Sequence, residues 1–597
     1  MKIHFRYKCG KNKALTIRKF IAVPYYFGLS FLSIAGLQFL ITCKRLLSYL
    51  YKKDMVKSIC MSIWVLCISI SSFGQKSKVS SHPKLVIGLV IDQMRWDYLY
   101  RYYDLYSANG FRRLIEKGFS CENAFIPYVP TYTAPGHTCV YTGSVPAIHG
   151  IVGNNWYDAE AGKDVYCASD PAVNTVGSNS GEGAMSPRNL WVTTIGDELR
   201  YSTNYSSKVI GIALKDRSAI FPAGHSANAA YWFDGSVGKW ISSTYYQNKL
   251  PAWVVKENEK LLPDAAMSKD WNTLLPIEKY TQSTADDKIY ESEIPGEKTV
   301  TFPHRLSQLT NSRYEAFKYT PFANTYTFDM AKEAIDNEKM GMGDVTDLLA
   351  VSISSTDYVG HTFGPNSIEA EDTWLRLDAD IAGFLQYLDT KLGEGNYLLF
   401  LTADHGVSAA PGFMNEHKLP GGTYSSGTLA AELNKMLDST FNIKNVLISL
   451  ENNQLYINKN VIKNAGRNAS EIQNAIIDFL KGKPYITDAF LTENIAATSI
   501  QATIKERVLN GYNPKRSGQI AFLTRPGYLD GSGKGTTHGM WNPYDAHIPL
   551  LWFGYQVKQG KTNREVYMSD IAPTVTGILG IQMPSGCIGK VIEEVTR

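Results

Sequence analysis

Three apolar segments of this 597-residue chain each end in an aspartate, and this pattern limits the folds that the chain can adopt. The segments are Lys84–Asp92, Asp347–Asp357 and Tyr397–Asp404. Segments that are apolar on both faces are typical of central strands in a parallel sheet covered by helices. Functional residues of such sheets gather beyond the carboxyl ends of the strands. The sequence therefore predicts an α/β fold whose central, mostly parallel sheet carries three acids at one edge.

The segments between these strands predict flanking helices and two insertions. Phe111–Gly118 is typical of a helix ended by glycine, and Glu369–Leu392 has the apolar spacing of an amphipathic helix. Residues 220–345 are rich in aromatic residues and weakly periodic, so we interpret them as an inserted subdomain or lid outside the central sheet. Residues 410–515 predict a second insertion, of mixed α/β character. We expect one catalytic domain over residues 75–597.

Two apolar stretches precede this domain. Residues 55–74 have a short basic start, an apolar core and small residues near the end, which is typical of a secretory signal peptide. We therefore expect a periplasmic or secreted protein whose native precursor begins at Met55, with residues 1–54 as a non-native extension. The rival interpretation is a membrane anchor at Phe20–Thr42, which is long enough to span a bilayer and is flanked by basic residues.

The charge of the chain bears on whether it binds nucleic acid. The first 54 residues carry a net charge of +10 and the whole chain carries +4, so the remaining residues carry −6. This mildly acidic charge offers no nucleic-acid surface.

Four cysteines follow the leader: Cys121, Cys139, Cys167 and Cys587. Exported proteins can form disulfides, and four cysteines allow two bridges in three connectivities. None of the four has metal-ligand spacing, so we interpret them as structural.

Seven residues of ligand or nucleophile type lie mostly at the predicted strand ends. They are Asp92, Thr133, Asp357, His361, Asp404, His405 and His538. Oxygen and nitrogen ligands without cysteine suit zinc, with manganese or iron as alternatives. The six acids and histidines divide naturally into two sites, and two metals can clamp the attacking and leaving oxygens of a displacement at phosphorus. Thr133 would be the nucleophile, because an alcohol needs a metal or a base to react as an alkoxide.

The spacing of several residues predicts how they meet a substrate. Asp357 and His361 lie four apart just past a strand, where the intervening glycine would let a turn bring both side chains inward. Lys215 and Arg217 are two apart at the end of a strand that we expect to continue to Arg217, so both would point the same way and suit an anion with several oxygens. Asn154, in a loop rich in glycine and proline, offers an amide donor.

Other conspicuous residues are interpreted as structural. His137 and His149 have no partner at ligand spacing, and we expect both to satisfy local backbone. Gly531–Gly539 is similar to a phosphate-binding loop by eye, but its glycine spacing and the residue after the lysine do not fit that motif. This segment is therefore expected only to present His538.

The motifs around these residues resemble the alkaline phosphatase superfamily, and above all its phosphate-irrepressible alkaline phosphatases of the PafA type, which are secreted or periplasmic. The resemblance covers residues 84–597. The segments that carry it are Val90–Arg95, Pro130–His137, Gly153–Trp156, Leu214–Arg217, Ser355–His361, Thr402–Gly406 and Thr536–Gly539.

This resemblance implies two zinc ions and a phosphoryl pocket. One zinc would be held by Asp357, His361 and His538. The second would be held by Asp92, Asp404 and His405, with Thr133 at its open position. Asn154 and the backbone amide of Ala134 would bind one phosphoryl oxygen, and Lys215 and Arg217 another. The expected reaction is hydrolysis of small-molecule phosphate monoesters by a monomeric enzyme, through a phosphothreonine at Thr133.

Other members of the superfamily are the main alternatives. The nucleotide pyrophosphatase/phosphodiesterases share the threonine and both zinc sites but lack the Lys-x-Arg pair, so Lys215 and Arg217 favour monoesters, which present one more anionic oxygen. Sulfatases need a Cys or Ser in a C/S-x-P-x-R signature, which Thr133-Ala-Pro-Gly does not match. Membrane phosphoethanolamine transferases carry several N-terminal membrane spans, whereas this sequence predicts at most one span beyond the signal peptide. A non-catalytic protein that binds phosphate or glycan is a further alternative, although every ligand position is filled.

Overall fold

The computed structural model describes residues 82–531 and 533–596. The predicted signal peptide at 55–74, the extension at 1–54 and the rival anchor at 20–42 lie outside the described residues. Within the described part of the chain, no helix combines the length and the apolar character needed to span a bilayer.

The described residues form nineteen strands and nineteen α-helices. The strands are β1 Leu85–Ile91, β2 Phe119–Phe125, β3 Asn155–Asp158, β4 Lys163–Tyr166, β5 Thr175–Val176, β6 Val209–Ala213, β7 Ala229–Asp234, β8 Lys239–Ser243, β9 Asp347–Ile353, β10 Tyr397–Thr402, β11 Gly422–Tyr424, β12 Leu447–Glu451, β13 Gln454–Ile457, β14 Ile486–Leu491, β15 Ile520–Thr524, β16 Tyr528–Asp530, β17 His547–Ile548, β18 Leu550–Gly554 and β19 Gly560–Tyr567.

The helices alternate with these strands along the chain. They are α1 Tyr98–Arg101, α2 Phe111–Lys117, α3 Thr133–Thr142, α4 Pro146–His149, α5 Ile195–Ser202, α6 Asp216–Ala223, α7 Ala252–Glu259, α8 Leu262–Met267, α9 Arg313–Phe317, α10 Phe322–Asn337, α11 Ser355–Phe363, α12 Ile368–Leu392, α13 Pro411–Glu416, α14 Ser426–Phe441, α15 Lys459–Asn464, α16 Ala469–Lys481, α17 Ala502–Gly511, α18 Pro543–Ala546 and α19 Ile571–Leu579.

A large central sheet organises the described residues, as the apolar segments predict. Its strand order is β17-β2-β18-β10-β1-β9-β6-β7-β8-β5, and β19 pairs with β2. The five strands from β10 to β7 run parallel, and antiparallel strands flank them. Every residue of β1, β9 and β10 is buried, because helices cover both faces of the sheet. The expected fold class is confirmed.

The long helix α12 shows how the sequence pattern becomes packing. Leu377, Ile381, Phe384 and Leu388 are buried on one face, as their spacing predicts. Its first turn is capped by the Ser367 hydroxyl, which accepts a hydrogen bond from the amide of Ala370.

The aromatic segment from residue 220 contributes to the central sheet. β7 pairs in parallel with β6, and β8 pairs with β7. The expectation that this segment adds nothing to the sheet is therefore wrong for residues 229–243. The reason is that Tyr231, Trp232 and Phe233 are all buried, so their bulk fills both faces of an outer strand of the sheet.

The second predicted insertion contains a sheet of its own. Its strand order is β12-β13-β15-β14, and helices α14 and α16 pack on it through a separate apolar cluster. A short parallel pair, β11 with β16, lies at its border.

The thiols of Cys121, Cys139, Cys167 and Cys587 are free. The sequence allowed two disulfides among these four cysteines, and the structure contains none of them.

Candidate active site

The predicted ligands meet at the carboxyl edge of the central parallel strands. Asp92 follows β1 directly, and Asp404 and His405 follow β10. Because β1 pairs with both β9 and β10, the ends of these three strands are neighbours. Helix α11 begins two residues after β9 and carries Asp357 and His361. The parallel sheet therefore gathers residues that are more than 300 positions apart in the chain.

Asp357 and His361 lie on a helix, so the predicted turn between them is wrong. The i, i+4 spacing in α11 places both side chains on one face. Gly360 has a different role from the one expected, because a Cβ there would lie 1.8 Å from Oε1 of Gln93. The glycine makes room for the Gln93 amide, whose Nε2 donates to Oδ1 of Asp357 at 2.6 Å.

Asp357, His361 and His538 form the first candidate metal group. Oδ1 of Asp357 lies 3.1 Å from Nε2 of His361 and 3.8 Å from Nε2 of His538. Each histidine is oriented by its other nitrogen: Nδ1 of His361 is 2.8 Å from the carbonyl of Thr536, and Nδ1 of His538 is 2.7 Å from that of Thr131. Because a carbonyl can only accept, Nδ1 carries the proton and Nε2 keeps a lone pair for a metal.

Asp92, Asp404 and His405 are the residues that the resemblance assigned to the second metal. Nε2 of His405 lies 3.4 Å from an oxygen of Asp92 and 3.4 Å from one of Asp404, while its Nδ1 contacts the carbonyl of Gly406 at 3.0 Å. In the structure, the residues close enough to share a second metal are Asp92, Asp357 and His405, and Asp404 is not among them. The structure therefore places Asp357 between the two groups, which the sequence did not predict.

The donor set fits metal binding on chemical grounds. Asp92 is completely buried, and its Oδ1 receives no hydrogen bond within the described residues. Burial and the neighbouring carboxylate of Asp357 raise the pKa of Asp92 well above its ordinary value. Burial opposes ionisation of Asp357 too, but His361 and Lys215 outweigh it and hold the pKa of Asp357 well below its ordinary value. Such an assembly of buried acids needs cations nearby.

Thr133 lies beside His405. It is the first residue of α3 and is almost fully buried, and its Oγ1 is 3.4 Å from Nε2 of His405. The next amide, that of Ala134, donates to Oδ1 of Asn154 at 2.9 Å. The start of a helix carries a partial positive charge, which favours an anion there. The structure thus brings Asn154 and Ala134 to the threonine.

Lys215 and Arg217 do not share an extended strand. β6 ends at Ala213, Lys215 precedes α6, and Arg217 lies in the first turn of that helix. Nζ of Lys215 is 2.7 Å from Oδ2 of Asp92 and 2.5 Å from Oδ2 of Asp357. Burial lowers the pKa of Lys215, but these two carboxylates outweigh it and raise the pKa above its ordinary value.

Arg217 points elsewhere. Its Nη1 donates to the hydroxyl of Tyr166 at 3.1 Å, and its Nε has no hydrogen-bond partner within the described residues although it is buried. The expectation that the two cations point the same way is wrong in this structure, because the chain turns into a helix between them. Lys215 reaches the metal ligands and Arg217 is held by Tyr166.

Two residues that the sequence analysis did not assign to the site contact its candidate ligands. Nδ1 of His137 lies 3.0 Å from the carbonyl of Thr133, so it satisfies local backbone as predicted. The same Nδ1 is also 3.2 Å from Oδ2 of Asp404, and Nε2 is 2.8 Å from Oγ of Ser352. The backbone N–H of Gln93 donates to Oδ1 of Asp404 at 3.2 Å. Their signals were weak: His137 is one helical turn after Thr133, and Gln93 directly follows a ligand. His149, in contrast, only accepts from the amide of Ile151.

Comparisons with known proteins identify relatives over most of the chain. The family model described as type I phosphodiesterase / nucleotide pyrophosphatase matches residues 86–545. Alkaline phosphatase PhoV of Synechococcus elongatus is 50% identical over 551 residues, which are 91% of this chain and 100% of that protein. Alkaline phosphatase PafA of Elizabethkingia meningoseptica is 49% identical over 534 residues, which are 89% of this chain and 98% of that protein.

A solved structure agrees with these relatives. The crystal structure of wild-type alkaline phosphatase PafA superimposes with a TM-score of 0.85 at 50% identity, covering 86% of this chain and 99% of the other. At this identity and coverage, the likeness extends to the whole described fold.

Proposed function

This chain belongs to the family of type I phosphodiesterases and nucleotide pyrophosphatases and is an alkaline phosphatase, and we propose that it hydrolyses phosphate monoesters at two zinc ions with Thr133 as the nucleophile. The observation that carries this proposal is the convergence of three Nε2 atoms and three buried carboxylates at one edge of the sheet, with the Thr133 hydroxyl 3.4 Å from one of the Nε2 atoms. The chemistry of this donor set suits zinc.

The two zinc ions are assigned to the two candidate groups. Asp357, His361 and His538 would hold one of them, and Asp92, Asp404 and His405 the other. Zinc at these positions would favour the alkoxide form of an alcohol and would stabilise the negative charge on the departing oxygen. It would also favour the formation of hydroxide from water at neutral pH. Asp357 would contribute to the balance of charge at both, since it also meets Asp92 and His405.

Thr133 would form and release the covalent intermediate. Its oxygen attacks phosphorus, the bond to the alcohol oxygen of the substrate breaks, and the alcohol leaves with a proton. Water then attacks the phosphothreonine, the bond from Thr133 to phosphorus breaks, and inorganic phosphate is released. The hydroxyl is suited to this role because it is buried beside His405 at a helix start, where an anion is stabilised.

The phosphoryl oxygens would be bound by two amides and two cations. In the structure the amide of Ala134 donates to Asn154 and Arg217 donates to Tyr166, so these bonds would be exchanged for bonds to the substrate. We assign one oxygen to Asn154 and the amide of Ala134, and another to Lys215 and Arg217. The ammonium of Lys215 contacts two carboxylates that bound cations would neutralise, and it then gains by facing an anion. Donors aimed at phosphoryl oxygens accelerate the reaction as charge develops there.

Preference for monoesters follows from the number of anionic oxygens. A monoester dianion presents one more such oxygen than a diester, and Lys215 and Arg217 would both bind it once Arg217 turned from Tyr166 to the site. The test is steady-state hydrolysis of p-nitrophenyl phosphate beside bis-p-nitrophenyl phosphate, before and after a zinc chelator. We expect faster hydrolysis of the monoester, loss of activity with the chelator and recovery with added zinc.

Other outcomes of this test would contradict the proposal. Faster hydrolysis of the diester would place the protein with the phosphodiesterases of the same family. Activity that the chelator does not affect would exclude the metal assignment. No hydrolysis of either ester would favour a binding protein.

We also propose that the protein is a monomer that is exported to the periplasm or secreted, with residues 1–54 outside the native precursor. The apolar stretch within residues 55–74 supports this. N-terminal sequencing of the exported protein should find a start near Gln75; a start well upstream of residue 70 would contradict it. Size-exclusion chromatography with light scattering should give the mass of one chain, and a larger mass would exclude the monomer.

A further inference from the structure

A cavity of about 350 Å³ opens beside the candidate active site. His538 and Asn154 belong both to the cavity wall and to the site. The rest of the wall includes Tyr132, Tyr424, Glu451 and Asp530, most of them from the second predicted insertion and its border. We call this cavity the acidic pocket. Its size is within the range of small-molecule sites.

The position of the pocket matches the departing alcohol of a substrate. This step rests on the proposed function. Thr133 contacts His405, in the second ligand group, whereas the pocket begins at His538, in the first. In a displacement at phosphorus, the attacking and leaving oxygens lie on opposite sides. The alcohol part of the substrate therefore extends from the side of His538 into the acidic pocket.

The wall of the pocket is held in place by side-chain hydrogen bonds. Asn452 and Asn453 form the turn between β12 and β13, with φ of 57° and 59°, which asparagine tolerates. Nδ2 of Asn452 donates to the carbonyl of Asn155 at 2.8 Å, and the Tyr424 hydroxyl donates to Oδ1 of Asn453 at 3.0 Å. The insertion is thereby tied to the residue that follows Asn154, so the pocket is formed before substrate arrives.

The charge of the pocket is opposite to that of the phosphoryl end. Glu451 and Asp530 line it, and no lysine or arginine among the described residues does. Oδ1 of Asp530 accepts from the amide of Ser426 at 3.0 Å, whereas the carboxylate of Glu451 has no hydrogen bond or ion pair in the described part of the chain. Burial, then the carboxylates of Asp164 and Asp530, raise the pKa of Glu451. A cation in the pocket would relieve this repulsion.

Aromatic side chains complete a cation-binding environment. Tyr132, Tyr424 and Tyr528 line the same cavity. Tyrosine rings attract ammonium groups through their electron-rich faces, most strongly where carboxylates stand nearby and water is reduced. An alcohol that carries a second anionic group would instead meet two acids and no cation.

We propose that the acidic pocket is the leaving-group subsite and that it selects phosphate monoesters of amino alcohols, whose ammonium group binds between Glu451 and the tyrosine rings. Esters whose alcohol carries a carboxylate or a second phosphate are disfavoured. The phosphoryl end binds the part that all substrates share, and the acidic pocket distinguishes among them.

A matched pair of substrates tests this subsite. Phosphocholine and 3,3-dimethylbutyl phosphate have the same shape, but only the first carries a positive charge. Their alcohols differ in acidity, so the measured quantity is the change in the ratio of their kcat/KM values between enzymes, in which that difference cancels. Glu451→Gln should lower the ratio by about 3-fold, the size expected for one partly exposed charge. Glu471→Gln removes an exposed acid in the same insertion and should leave the ratio and the rates unchanged.

Binding to an inactive enzyme gives a second measurement that is free of leaving-group chemistry. On Thr133→Ala, calorimetry should show phosphocholine binding about 10-fold more tightly than 3,3-dimethylbutyl phosphate, and 3-phosphoglycerate binding more weakly than both. Glu451→Lys in the same background should reverse the order of phosphocholine and 3-phosphoglycerate.

The outcomes separate the subsite from the proposed function. Equal binding of the charged and neutral esters, or a ratio that Glu451→Gln leaves unchanged, would overturn the amino-alcohol selectivity. Methyl phosphate, too small to reach the pocket, reports the proposed function by itself. If its chelator-sensitive hydrolysis persists while the ratio does not respond, only the subsite is wrong; if that hydrolysis is absent, the proposed function fails.

Discussion

Asp92, Asp404 and His405 leave the ends of two adjacent parallel strands, whereas His361 and His538 are oriented by carbonyls of distant loops. The first set, which we call the sheet half of the site, is completely buried. The second set, the loop half, includes a histidine side chain that is 34% exposed. The sheet half thus contains two acids and a histidine, the loop half contains two histidines, and the two are positioned by different means.

This difference indicates which half is rigid and which depends on remote contacts. Strand ends are positioned by the hydrogen bonds of the sheet and by a packed core, so the sheet half has few alternative arrangements. In the loop half, His538 depends on the carbonyl of Thr131, 407 positions away in the chain. His538 also lines the acidic pocket, so the same residue belongs to a candidate metal group and to the proposed leaving-group subsite. We expect changes at the two halves to differ in kind.

The largest effect is expected at Thr133, whose hydroxyl lies beside the sheet half. Thr133→Ala should lower kcat/KM for p-nitrophenyl phosphate at least about 1,000-fold, because the nucleophile is lost, while both zinc ions stay bound. Steady-state kinetics and zinc content per chain measure the two quantities. Thr142→Ala removes a buried hydroxyl from the same helix, far from the ligands, and serves as the control with near-normal activity. A Thr133→Ala enzyme of normal rate would refute the nucleophile assignment.

Replacing one histidine in each half compares them directly. His405→Ala and His361→Ala should each lose about one zinc ion and at least about 100-fold in activity, because each removes a ligand. Only His405→Ala leaves a cavity in a fully buried region, so it should also lower the free energy of unfolding of the chelator-treated protein by about 2 kcal/mol more than His361→Ala does. Urea unfolding measures this, and equal stability of the two variants would contradict the division.

The two cations sharpen the comparison from the substrate side. Replacing Lys215 and Arg217 together by alanine should lower kcat/KM for a monoester by about 100-fold and that for a diester far less, because only the monoester offers an additional anionic oxygen. Parallel kinetics with p-nitrophenyl phosphate and its bis ester measure the two losses. Equal losses would remove the reason for preferring monoesters.

The smallest expected effect concerns pH and the support of the loop half. His304 packs against Phe363, at the end of the helix that carries His361. Burial lowers the pKa of His304, but hydrogen bonds to Glu297 and Glu369 outweigh it and raise the pKa to about 9. A pKa raised above the unfolded value gives stability that is complete below about pH 6.5 and is lost as pH rises through 9.

The free energy of unfolding of the chelator-treated protein should therefore be lower at pH 9.5 than at pH 6.5, by about 2 kcal/mol. Glu297→Gln weakens the hydrogen bond that holds the proton and should reduce this difference. Urea unfolding at both pH values is the measurement. A stability that does not change over this range would exclude a charged His304.

Much of the sheet half could be predicted from the sequence, because a strand that is buried on both faces is a continuous run of apolar residues. β1, β9 and β10 follow the three apolar segments, and the acids after them mark the edge of the sheet. The loop half was harder. The spacing of Asp357 and His361 pointed to a ligand pair, but a helix produces it, and Gly360 serves Gln93 rather than a turn.

The sequence by itself determined the parallel core and the residue types of the site, since local composition suffices for both. Only the tertiary structure decided which side chains meet. It places Asp357 between the two ligand groups, brings His137 to Asp404, and sends Lys215 and Arg217 to different partners. It also brings His538 to the carbonyl of Thr131, and it places Glu451 in the wall of the cavity that His538 lines. These contacts join segments that are far apart in the chain, so no local sequence pattern predicts them. The direction of a side chain at a helix start depends on the residues that pack against it, which a local pattern does not contain either.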